Sequence, residues 1–116
     1  MPIRAISAVT LAVHDMGRAV AFYQQVGFEI LYGGRTAGFT SFRVGDGFLN
    51  LILSPVAANG WWGRVIFRVE GVDALYEALQ QKQMHPDRPR DGPWGERYFH
   101  IVDPDGHELS FAEPLS

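Results

Sequence analysis

From Ala8 to Val13 the chain alternates: Val9, Leu11 and Val13 fall on one parity, Ala8, Thr10 and Ala12 on the other. A period of two is that of a strand with one buried face. At Asp15 the period changes. Val20, Phe22 and Tyr23 make a helical stripe running to about Val26. Asp15 is the expected N-cap, its carboxylate accepting unpaired first-turn amide hydrogens, and Gly27 the expected stop. The same change of period recurs in the second half. Placing Arg64 on Ala8 brings Val65 onto Val9, Phe67 onto Leu11 and Val69 onto Val13. A second helix is then expected from about Val72, with Leu75, Ala78 and Leu79 turned inward.

Each helix is followed by strand material closing in a hairpin, "GFTSFRVGDGFLNLILS" in the first half and "RYFHIVDPDGHELSF" in the second. Gly45-Asp46-Gly47 is one turn. Asp103-Pro104-Asp105-Gly106 is the other, with proline presetting φ and glycine taking the left-handed position. Around it Phe99 and Ile101 point one way, and Tyr98, His100 and Val102 the other. Leu109 and Phe111 likewise oppose Glu108 and Ser110. Each half thus reads as strand, helix and three strands. In the second half the strand after the helix falls near Met84 to Arg88, where prolines oppose pairing. The expectation is a single α+β domain over residues 1–116, built from two βαβββ modules at 1–56 and 60–116.

One helix per module covers one face of its sheet. Val9, Leu11, Val13, Leu49, Leu51, Leu53, Val65, Phe67, Val69, Leu109 and Phe111 have the parity of that covered face. The opposite face carries Ala8, Thr10, Ala12, Phe39, Ser41, Arg43, Phe48, Asn50 and Ile52 in the first half. In the second half it carries Trp62, Arg64, Ile66, Tyr98, His100, Glu108 and Ser110. That set is too aromatic for a solvent face and too polar for a core. Apolar walls with sparse directional polar groups are the character of a ligand pocket; a dimer interface would also favour aromatics and arginine.

Composition narrows the classes. A net charge of −3, with basic residues scattered apart from Arg88 and Arg90, argues against nucleic acid. The absence of cysteine excludes disulfides, thiolate metal ligands and a cysteine nucleophile. The opening residues are too short and too polar a run for a signal peptide or membrane span, so a cytoplasmic protein without a membrane partner is expected. Of the four histidines, His14 beside the helix cap is expected to be exposed, and His85 before Pro86 to lie in a loop. His100 alone falls on the pocket face, where Tyr98 or Glu108 would be its neighbour in acid–base work.

Three passages, "LAVHDMGRAVAFYQQVGFEI", "RVIFRVEGVDALYEAL" and "GPWGERYFHIVDPDGHELSFAEP", span nearly the whole chain. They resemble the vicinal oxygen chelate superfamily, the group of glyoxalases, bleomycin-resistance proteins and extradiol dioxygenases. The resemblance implies cupped mixed sheets of paired modules, usually assembled as a homodimer around ligand cavities. It places His107 where the family usually has a small polar residue, so a hydrogen-bonding role in the turn is expected. It also implies four metal-ligand positions in the family's enzymes, which fall here on Ala8, Asn50, Arg64 and Ser110. A methyl group, an amide, a guanidinium and a hydroxyl do not make a divalent site, so no metal and no other cofactor is expected. A register slip would bring in Glu108 with His100 instead. The Gly-Pro-Trp-Gly passage and the turn after it are similar to the metal-free, drug-sequestering branch typified by bleomycin-resistance proteins. The function this implies is binding of an aromatic small molecule, with Trp61, Trp62 and Trp94 available for stacking. The expected site comprises Phe39, Phe48, Asn50, Trp62, Arg64, Trp94, Tyr98, His100, Glu108 and Ser110. Arg64 is expected in the cavity wall, either paired with Glu108 or free to bind an anion. The alternatives are a lyase, isomerase or dioxygenase with a non-standard metal site, and a face that serves assembly alone.

Overall fold

The computed structural model describes residues 2–56 and 60–115. The chain divides into two compact units, Met1–Asn59 and Gly60–Ser116. The first contains β1 (Ala8–Val13), α1 (Met16–Val26), β2 (Glu29–Tyr32), β3 (Phe39–Val44) and β4 (Gly47–Leu53). The second contains β5 (Arg64–Arg68), α2 (Val72–Gln81), β6 (Arg90–Gly92), β7 (Glu96–Val102) and β8 (Glu108–Pro114). Each forms a four-stranded sheet, in the orders β1-β4-β3-β2 and β5-β8-β7-β6. β1 runs parallel to β4 and β5 to β8, and the other pairs are antiparallel. The fold is α+β, with two mixed sheets and one helix in each unit. No helix is long and apolar enough to cross a membrane among the described residues.

The repeat read from parity extends to register. Ala8 faces Phe48 and Thr10 faces Asn50, while Arg64 faces Glu108 and Ile66 faces Ser110. Across the hairpins Ser41 faces Asn50, and His100 faces Ser110. Asp15 caps α1, its Oδ1 accepting from the Arg18 amide at 3.0 Å, and Gly27 ends it at φ 122°. Beneath α1, the buried rings of Tyr23 and Phe42 pack with Phe28. Beneath α2, the ring of Tyr76 meets Phe99, which packs on Phe111, and Phe111 stacks on Phe67.

Three expectations are corrected. Leu53, at the end of β4, is 48% exposed rather than covered. Ala78 faces solvent, and the inward positions of α2 are Val72 and Leu79, with Leu75 and Tyr76 half-buried. β6 lies beyond Pro89, at Arg90–Gly92, and not near Met84 to Arg88. The reason is local: Pro86 and Pro89 lack amide hydrogens, and Gln83 and His85 take left-handed φ of 60° and 61°. Asp87 ties that stretch to β7, its amide donating to the His100 carbonyl and its Oδ1 accepting from the His100 amide.

α2 begins at Gly71, which has no side chain to cap it. Glu113 of β8 supplies the missing acceptor, taking the amide hydrogens of Gly71 at 2.8 Å and Val72 at 3.0 Å on its two oxygens. These bonds, Gly71 first, hold the Glu113 carboxyl below its ordinary range. A depressed carboxyl contributes stability above its unfolded pKa and loses it as pH falls through the folded value. Glu113→Gln is therefore expected to lower the thermal midpoint at neutral pH, with the gap to the wild type closing on acidification. Parallel melting curves across an acid titration check this, and a constant gap would refute it.

Candidate ligand site

Alternation along β5, β7 and β8 sends one set of side chains to the sheet face opposite α2. Arg64 and Ile66, Tyr98 and His100, and Ser110 and Ala112 meet there, with Trp94 and Glu96 joining from the β6–β7 hairpin. Together they line a cavity of about 120 Å³ with a mainly apolar surface. An engineered apolar cavity of about 150 Å³ admits benzene, so this one has room for roughly one ring.

Trp94 owes its place to Gly92. A Cβ on Gly92 would lie 2.6 Å from Cη2 and Cζ2 of the indole, so only glycine lets the ring settle on the backbone there. The indole N–H donates to Glu96 Oε1 at 2.9 Å, and the ring sits 5.0 Å from that of Tyr98 at a tilt of 36°. Held on one side, Trp94 still leaves 61% of its surface open. Tyr98 is braced in turn by Arg90, whose Nε donates to the phenol oxygen at 3.0 Å.

Arg64 and Glu108 are paired, Nε to Oε2 at 2.7 Å. The same oxygen accepts the indole N–H of Trp61 at 2.9 Å, and the guanidinium lies 5.4 Å from the Trp61 ring centre. The Trp61 bond, with the Arg64 bond and charge, holds the Glu108 carboxyl below its ordinary range. Trp62 turns away from this group. Its indole N–H donates to His107 Nδ1 at 2.8 Å, so it does not line the cavity. His107 is buried in the turn, its amide bonded to Asp103 Oδ1. His14 is exposed, and His85 lines a separate depression of about 310 Å³.

His100 Nδ1 lies 2.5 Å from the hydroxyl of buried Ser110. Burial pushes the imidazole pKa down, against the opposing pull of Asp87 and Glu108, so the ring is neutral at neutral pH. Phe39, Phe48 and Asn50 lie on the corresponding face of the first unit. There Arg43 lies over the Phe48 ring, and Asn50 Nδ2 donates to Thr10 Oγ1 at 3.3 Å. The cavity is built wholly from the second unit. Ile66, Glu96 and Ala112 line it although absent from the expected site, and Trp61 joins from outside the lining through its bond to Glu108.

The four positions that would hold a divalent ion do not fit one. Ala8 has no ligating atom, Asn50 offers a single neutral amide oxygen, Arg64 is cationic, and the Ser110 hydroxyl is engaged by His100. Among the described residues no three His, Asp or Glu side chains converge as a metal site.

With this geometry in place, the chain matches, over residues 5–111, the family model described as Glyoxalase/Bleomycin resistance protein/Dioxygenase superfamily. The chain belongs to that superfamily. Solved structures of the same fold include a bleomycin-binding protein complexed with bleomycin, 22% identical, covering 96% of this chain and 98% of that one at a TM-score of 0.77. A genomically encoded fosfomycin resistance protein, FosX, from Listeria monocytogenes is 19% identical, with coverages of 96% and 93% and a TM-score of 0.79. A lactoylglutathione lyase from Agrobacterium tumefaciens is 22% identical, with coverages of 97% and 96% and a TM-score of 0.79. At these identities the likeness is one of fold. Comparison with curated proteins finds no match. Within the superfamily, binding proteins and enzymes share this architecture, so the function rests on side chains.

Proposed function

We propose that this superfamily member is a metal-free small-molecule binding protein that sequesters an aromatic ligand, such as a natural product or antibiotic. The observation that carries the reading is Trp94. It is seated on Gly92 beside Tyr98, over a cavity the width of one ring, with most of its indole surface open. Stacking on such a pair contributes about 0.5–1.5 kcal/mol beyond the area buried. The open face of each sheet also presents apolar surface, including Ile52 and Ile66, which a homodimer would cover.

A second reading has one observation behind it. Neutral His100 in contact with Ser110 at the cavity wall is an arrangement able to take up a proton, as a lyase or isomerase would require.

A tryptophan-fluorescence screen of aromatic compounds, with elemental analysis of protein purified without chelator, tests the proposal. The expected result is saturable binding of an unconverted compound, no stoichiometric metal, and a dimer by light scattering. About one Zn, Ni, Fe or Mn per chain would overturn the metal-free reading. Turnover of a bound compound that is lost in His100→Gln would favour the enzyme.

A further inference from the structure

The second unit contains the same two-part clamp twice. Trp61 donates its indole N–H to Glu108 at 2.9 Å, and Trp94 donates its own to Glu96 at 2.9 Å. In the first clamp a cation completes the set. Arg64 lies against the Trp61 ring and pairs with the carboxylate. In the second, the carboxylate and indole have no such companion among the described residues. The nearby arginines are engaged elsewhere, Arg97 with Asp73 and Asp91, and Arg90 with Asp87 and Tyr98. Glu96 Oε1 accepts from Trp94, and among the described residues Oε2 has no partner. Arg64 and Glu108 neutralise each other, and His100 is neutral. Glu96 therefore leaves the cavity one uncompensated negative charge beside the exposed Trp94 face and the Tyr98 ring.

We infer that the Trp94–Glu96 clamp takes a cationic nitrogen group, an amidinium, guanidinium or ammonium, carried by the aromatic ligand. This rests on the reading of the cavity as an aromatic site and adds the chemistry of the ligand. The ligand cation does at Glu96 what Arg64 does at Glu108: it lies on the indole and pairs with the carboxylate. Attraction of a cation to the indole face and a charge-assisted bond to the carboxylate act together at that point. A ring bearing a planar cation matches both, and a neutral isostere of the same shape matches only the ring.

Benzamidinium and benzamide make that comparison. Isotope-labelled protein would be titrated with each, following the Trp94 indole N–H resonance. Benzamidinium is expected to bind about tenfold more tightly than benzamide, from the combined cation–π and charge-assisted terms. Glu96→Gln, which keeps an acceptor for the Trp94 N–H, is expected to abolish the difference between the two probes. Equal binding of the two probes at Trp94 in the wild type would overturn the inference while leaving the aromatic site standing. If neither probe shifts any resonance of Trp94, Tyr98 or His100, both the inference and the aromatic site fall. The wild-type comparison stands whether or not the Gln variant folds.

Discussion

Truncation of Phe99 to alanine is expected to destabilise the second unit by about 3–5 kcal/mol, a large share of the ~5–15 kcal/mol typical of a folded domain. Phe99 is fully buried on the helix-covered face of β7. Its ring lies 5.8 Å from that of Tyr76 on α2 and 5.4 Å from that of Phe111 on β8, so it joins the helix to two strands. None of these partners can collapse into the space without leaving its own contacts, and a cavity of that kind adds to the lost transfer energy. The urea midpoint should fall with the slope of the transition unchanged. Tyr98 and His100 flank Phe99 on the same strand, so the ligand site should lose order in step. A loss below about 1 kcal/mol would mean that α2 is not seated on this ring.

Gly92→Ala is expected to separate binding from stability. The new methyl group would collide with the indole of Trp94, whose ring is exposed enough to swing into solvent. The fold should then lose little beyond the Trp94–Glu96 hydrogen bond, about 1 kcal/mol. Affinity for aromatic compounds should fall roughly tenfold or more, because the stacking face and the orienting N–H leave together. Trp94→Ala should produce a similar loss. Wild-type affinity in Gly92→Ala would remove Trp94 from the site.

Strand parity carried most of the architecture. The alternation through Val9, Leu11 and Val13, and again through Phe99 and Ile101, decides which side chains enter the core. A strand offers only two faces, so the others had to share the open one. The pairing of Arg64 with Glu108 was legible for the same reason once β5 and β8 were neighbours. Tryptophan directions were not legible. Trp61 and Trp62 precede β5, where parity no longer holds, and Gly63 at φ 137° turns the chain between them and Arg64. Glu96 shares the parity of Tyr98 and His100, and that was the signal available for it. The seat of Trp94 on Gly92 and the capping of α2 by Glu113 are contacts across the fold with no local pattern. β6 was displaced because proline marks where pairing fails without saying where it resumes.

The matched registers of the two sheets give this protein its own blank. At the rungs where β5, β7 and β8 present Arg64, Glu108, His100 and Ser110, the first sheet presents Ala8, Phe48, Ser41 and Asn50 on the same ladder. A compound that reports on the second set and leaves the first silent is responding to what differs at those rungs, since the strand pairing of β1-β4-β3 recurs in β5-β8-β7. Selectivity can thus be read inside one molecule, without a separate reference protein.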